Sequence, residues 1–158
     1  AYRLSGRMST SVSGLSEQIL WDFEEERRAD FVAGWYGIPQ EMIPEAGVSI
    51  GTEARTDEAA ERLLGIPAGT PISYRAGDQP NNAFSLNVME AGEVAATGGT
   101  SGVVYGVTDK RQADPQSRVN TFVHVNHTAS NPRYGILLCI NGTGIMNSWI
   151  RRLSLIHI

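Results

Sequence analysis

The stretch from Ile72 to Gly106 constrains the chain more than any other. It reads as a short strand, a carboxylate at the strand's end, a helix, a second strand, a turn of small residues and a third strand. The β-branched and aromatic run with Ile72 and Tyr74 stops at Gly77, and Asp78 follows where the amides of the next helix begin. Pro80 lies close to the first-turn position that needs no N–H. Val94 to Thr97 reads as the second strand. Three glycines in the run Gly98-Gly99-Thr100-Ser101-Gly102 then let the backbone turn tightly and approach a ligand, and Val103 to Val107 resumes the strand.

A carboxylate at a strand-to-helix corner and a glycine turn suit transfer of a phosphoryl group to an alcohol. The attacking hydroxyl needs a base within hydrogen-bond reach, and the phosphate oxygens need donors free of side-chain bulk. Asp78 can serve as the base, and the amides and hydroxyls of Gly99, Thr100 and Ser101 as the donors. Taken singly, a Gly-Asp corner is more often a helix cap and a GGTSG run more often a hairpin turn. Their occurrence together in one stretch is what favours chemistry.

The segment GDQPNNAFSLNV (77–88), followed by EVAATGGTSGVVYGV (93–107) and CINGTGIMNSWIRRL (139–153), resembles the junction between the two domains of the FGGY carbohydrate kinases, most closely the xylulokinases. The resemblance runs from about Gly6 to Arg152, and the ordered series of motifs is more specific than any one of them. It implies an α/β chain of the actin-like ATPase (ribonuclease-H-like) fold, with sugar bound mainly by a first domain and ATP mainly by a second. Residues 1–89 are then the end of the sugar-binding domain, residues 90–152 the start of the ATP-binding domain, and the chain an inactive internal piece of a longer kinase. By the same resemblance Asp78 accepts the proton of the attacking hydroxyl and Gln79 holds a sugar hydroxyl in line. Gly99, Thr100 and Ser101 hold the γ-phosphate of ATP, Mg2+ bridges the phosphates, Gly144 lies along the nucleotide and Ser148 stands near the base. The expected reaction is D-xylulose to D-xylulose 5-phosphate. Another FGGY kinase acting on ribulose, gluconate or glycerol shares every motif, and a non-catalytic actin-like sugar sensor is a further alternative.

Composition agrees with a folded chain. Of 158 residues, 41% are hydrophobic and 19% charged, enough to bury a core. A net charge of −4 gives no electrostatic footprint for nucleic acid or an anionic membrane. The single cysteine, Cys139, can form no internal disulfide, which fits a reduced, cytoplasmic compartment. The apolar run Tyr134 to Ile140 reads as a buried strand and is far shorter than the roughly 18 residues a membrane span needs. The expected partners are the sugar and ATP, and a homodimer is compatible with the sequence.

Elsewhere, the Ser/Thr-rich stretch Ser9 to Gly14 reads as a solvated loop, and Leu20-Trp21-Asp22-Phe23 as a packing motif. Glu24 to Tyr36 reads as a helix with Phe31, Val32, Trp35 and Tyr36 on one apolar face and its acidic triplet in solvent. Pro44 to Arg55 reads as a connector. A helix follows with Thr56 at its N-cap, Asp57 and Glu58 in its first turn, Ala59, Ala60, Leu63 and Leu64 on its packing face, and Gly65 with Pro67 as its stop. Thr108 to Arg118 is expected to be an exposed loop, and Asn120 to Asn126 a strand. His124 and His127 would face opposite ways on that strand, a poor start for a metal site, and no residue is singled out as a metal ligand. Asn141-Gly142-Thr143-Gly144 should turn into a helix carrying Ile145, Trp149 and Ile150; a glycine-rich helix start can be purely structural or can take a phosphate. Residues 153–158 depart from the family pattern and resemble translated adapter sequence, so they are expected to be non-native.

Overall fold

The computed structural model describes residues 1–154. In chain order its elements are α1 (Tyr2–Ser5), β1 (Ser9–Ser11), α2 (Val12–Glu17), β2 (Trp21–Asp22), β3 (Arg27–Arg28), α3 (Asp30–Trp35), a 3-10 turn (Gln40–Met42), β4 (Glu45–Gly47), β5 (Ile50–Arg55) and α4 (Glu58–Leu64). There follow β6 (Pro71–Tyr74), α5 (Asp78–Ser85), β7 (Val94–Gly98), β8 (Gly102–Thr108), β9 (Asn120–Val123), β10 (Tyr134–Ile140) and α6 (Thr143–Ser154). The expected non-native tail at 153–158 lies, from residue 155 on, outside the described residues.

The second half is organised by a four-stranded antiparallel sheet in the order β7-β8-β10-β9. The β7–β8 hairpin closes at the Gly98–Gly102 pair, so the glycine turn stands at the tip of that hairpin. Ala83, Val88, Ala95, Tyr105, Val107 and Leu137 form one buried cluster, with Val103 and Phe122 packed against it. Ala83 comes from α5, so the helix that starts at Asp78 is seated on this sheet by its apolar side. In the first half, Leu15, Ala33 and Ile43 make a smaller cluster flanked by Leu20 and Trp21, the packing role expected of Trp21. Phe23 meets Tyr134 with ring centroids 6.1 Å apart.

Several local expectations are corrected. The Ser9–Gly14 stretch is not a solvated loop: it forms β1, which pairs in parallel with β4, and the start of α2, with Ser11, Ser13 and Ser16 buried. Hydroxyls can be buried there because they satisfy one another, with Ser13 Oγ 3.0 Å from Ser11 Oγ and 2.7 Å from Ser49 Oγ. The helix expected over Glu24–Tyr36 is cut to Asp30–Trp35. Asp22 Oδ1 accepts the amides of Glu24 and Glu25, a local alternative to helix, and Glu26 takes φ 48° at the end of the β2–β3 turn. Phe31, Trp35 and Tyr36 are exposed, so the apolar face read from the spacing meets no core in this chain. Pro44–Arg55 is not a plain connector but carries β4 and β5, the latter paired with β6 across an irregularity between Ile50 and Ala54. The N-cap of α4 is Asp57, whose carboxylate accepts Ala60 N at 2.8 Å. Thr56 is instead buried, its hydroxyl donating to Pro67 O. Leu63 and Leu64 are exposed, and Ala60 is the buried residue of that helix.

Candidate active site

The corner that presents Asp78 is anchored before it is turned. Arg75, at the end of β6, donates from its backbone to Ser49 O (2.9 Å) and from its guanidinium to the carbonyl and hydroxyl of Ser9, with Glu53 beside it. Gly77 is the N-cap of α5 and has no side chain to cap it. The free amides of the first turn are taken up from another element. Gly77 N donates to Ser13 Oγ (3.3 Å), Asp78 N to Glu17 Oε2 (2.9 Å) and Gln79 N to Glu17 Oε1 (2.9 Å). The Asp78 side chain is exposed, Gln79 is half-buried, and Pro80 is buried in the turn behind them.

Glu17 carries an electrostatic load. Its partial burial lifts the carboxyl above the usual carboxylate range, the two amides pull it back, and the neighbouring Asp78 charge pushes it up again. Glu17 is not among the residues the sequence singles out: its one signal there is an acid four residues after Ser13, just past the Ser9–Gly14 stretch read as loop.

The second part of the site is the hairpin tip. Gly98 to Ser101 are exposed and Gly102 is buried. Gly99 N closes the turn onto Ser101 O (2.9 Å), while Gly99 O accepts Gly144 N (3.0 Å) and Thr143 Oγ1 (3.2 Å); Thr100 O accepts Ile145 N (3.3 Å). The tip is thus docked on the first turn of α6. Gly144 must be glycine for this, because a Cβ there would stand 2.4 Å from Gly99 O. The structure therefore brings Gly99, Thr100 and Gly144 together, whereas Ser148 lies one turn further along α6, exposed. Because the amide of Gly99 is spent inside the turn, the donors left at the tip are the amides and hydroxyls of Thr100 and Ser101. Asp78 and the tip belong to different elements, and a side-chain bridge runs between those elements: Asn82 Nδ2, one turn along α5, donates to Thr97 Oγ1 (2.8 Å), next to Gly98 on β7.

The tip is open and carries free donors, as a phosphate group requires. The space where a Cβ would stand at Gly98 is empty to 4 Å, at Gly99 only Ser101 O lies within that range, and neither hydroxyl of Thr100 or Ser101 is bound to another group among the described residues. His124 and His127 are engaged elsewhere. His124 bridges Tyr105 Oη (3.1 Å) and Val88 O (3.0 Å), and His127 Nδ1 lies 3.1 Å from both the amide and the carbonyl of Arg133. No group of three or more metal-ligating side chains occurs among the described residues, and no helix among them is long and apolar enough to cross a membrane.

No protein-family model matches the sequence. Among curated proteins the chain is 34% identical over 109 residues to the glycerol kinase of Thermococcus kodakarensis, covering 69% of this chain and 21% of that one. Among solved structures it resembles the xylulose kinase of Rhodospirillum rubrum with a TM-score of 0.85 and 21% identity, over 96% of this chain and 30% of the other. It also resembles Plasmodium falciparum glycerol kinase, solved with ADP, with a TM-score of 0.82 and 19% identity over 99% of this chain and 31% of the other. The chain spans at most about 30% of the length of the first curated relatives it matches. Its mixed α/β architecture is a portion of the actin-like ATPase fold of those enzymes. By sequence and by fold, the chain is homologous to the FGGY carbohydrate kinases, the family to which the matched glycerol and xylulose kinases belong.

Proposed function

We propose that this chain is the part of an ATP-dependent sugar or polyol kinase in which the acceptor hydroxyl and the γ-phosphate meet. The observation that carries the reading is the pairing of an exposed Asp78, whose backbone is held from behind, with an exposed hydroxyl-bearing tip at Gly98–Ser101, linked through Asn82 and Thr97. In this reading Asp78 takes the proton from the acceptor hydroxyl as its oxygen bonds to the γ-phosphorus. The bond from that phosphorus to the bridging oxygen breaks, and ADP leaves. Gln79, with an amide that both donates and accepts, orients the acceptor. Thr100 and Ser101 donate to the γ-phosphate, the bare backbone at Gly98 and Gly99 allows its approach, Gly144 lines the nucleotide, and Ser148 stands toward the base. Mg2+ would neutralise charge on the phosphates. Residues 1–89 would then belong to the sugar-binding domain and 90–152 to the ATP-binding domain.

D-Xylulose is the first acceptor we assign, on the motifs of the sequence and the fold match to xylulose kinases. Glycerol is the second, because the curated relatives matched over most of the chain are glycerol kinases. The test is phosphate transfer by the full-length protein against a panel of D-xylulose, D-ribulose, gluconate and glycerol, with Asp78→Asn and Asp78→Ala alongside. The expected result is turnover on one acceptor and a fall of at least about a hundredfold in kcat for both variants, in line with loss of a general base. Near-full activity in both variants would remove Asp78 from the mechanism.

A further inference from the structure

The amides at 77, 78 and 79 are three in a row, and all three donate to one face of α2. Ser13 and Glu17 are four residues apart on that helix and so project on the same side. Gly77 makes room for the arrangement, since a Cβ there would stand 2.0 Å from Glu17 Oε2. The clamp is itself fixed. Ser13 Oγ is held between Ser11 and Ser49, and on α2 the next hydroxyl, Ser16 Oγ, accepts Val123 N of β9 at 2.9 Å. α2 therefore ties the corner at Asp78 to the four-stranded sheet whose hairpin carries the glycine turn. Both oxygens of Glu17 are committed to amides, so Glu17 is not the exposed base; Asp78 is.

We propose that Glu17, seconded by Ser13, is a positioning residue that holds the backbone at 77–79 so that the side chains of Asp78 and Gln79 meet the acceptor in a single orientation. The proposal rests on the kinase reading above. A carboxylate gripping two successive amides fixes both the position and the rotation of the peptide that bears the base, and small misplacements of a catalytic group cost rate far more than they cost binding.

The experiment is steady-state kinetics on the full-length protein with the acceptor it phosphorylates, reading kcat, KM for ATP and the unfolding temperature together. Glu17→Ala should lower kcat by about tenfold or more while KM for ATP stays within about twofold. Glu17→Gln, whose amide oxygen can still accept one of the two N–H groups, should recover part of the loss. Gly77→Ala, which displaces the carboxylate, should reproduce it. A wild-type kcat in Glu17→Ala overturns the proposal, as does a fall in kcat matched by an equal rise in KM for ATP. Should Glu17→Ala not fold, the isosteric Glu17→Gln decides: a few-fold lower kcat at unchanged KM and unfolding temperature supports it, and a wild-type kcat overturns it. The two readings fail separately. An inactive wild-type protein brings down both, whereas a dead Asp78→Asn beside fully active Glu17 variants brings down the positioning role alone.

Discussion

Gly144 donates its amide to the carbonyl of Gly99 across 3.0 Å, and this contact joins the hairpin tip to the start of α6. The two glycines are far apart in sequence, and the contact depends on the bareness of Gly144. A side chain at Gly144 would meet Gly99 O at 2.4 Å, and the obstacle is backbone, which cannot swing away as a side-chain end can.

Gly144→Ala should therefore force the tip off α6. The expected cost is about 1–3 kcal/mol of unfolding free energy, the range for overpacking a fitted contact, together with a raised KM for ATP. Gly98→Ala is the control: its Cβ would meet nothing within 4 Å and should change stability by less than about 0.5 kcal/mol. Denaturant unfolding of both variants checks the contrast, and equal effects would refute it.

Tyr105 and Gly135 form a similar lock inside the sheet. A Cβ on Gly135 would stand 1.8 Å from Tyr105 Oη, on a ring that is 2% exposed and whose hydroxyl is held by His124. Gly135→Ala should destabilise by about 2–3 kcal/mol, with the ring unable to retreat. Tyr105→Phe keeps the ring but strands the buried His124 Nδ1, at about 1–2 kcal/mol. Unfolding measurements that rank Tyr105→Phe as the costlier of the two would count against this packing.

Both His124 and His127 are held below their ordinary range by burial, only partly offset by hydrogen bonds to Val88 O and Arg133 respectively. A depressed pKa in the folded state means the unfolded chain takes up the proton first. The stability from the neutral rings is thus complete above the ordinary histidine value of about 6.5 and is lost as pH falls through the folded values. The unfolding temperature should drop on acidification below about pH 6.5, and a His124→Gln/His127→Gln protein should show a shallower slope there. An unchanged slope would mean other groups carry the acid sensitivity.

The elements read most directly from the sequence are those set by local rules. The β7–β8 hairpin, the helix starting at Asp78, the αL glycine at 65 and the strand Tyr134–Ile140 follow from alternation, β-branched runs and glycine placement, which act over a few residues. The same local signals marked Asp78, Gln79 and the tip as candidates. Where Asp22 or the paired serines decided the outcome, local reading failed, because a side chain capping a turn or a hydroxyl matched to a distant hydroxyl leaves no periodic trace.

From the chain of letters alone come the residue types at the corner and the turn, and the order in which strand, carboxylate, helix and hairpin follow one another. Tertiary structure alone decided that α2 reaches across to hold the amides of residues 77–79, and that Gly144 closes on Gly99. Those contacts join residues far apart in sequence, 61 and 62 positions for Glu17 with the amides of Asp78 and Gln79, and their geometry depends on backbone positions that the intervening elements help to set.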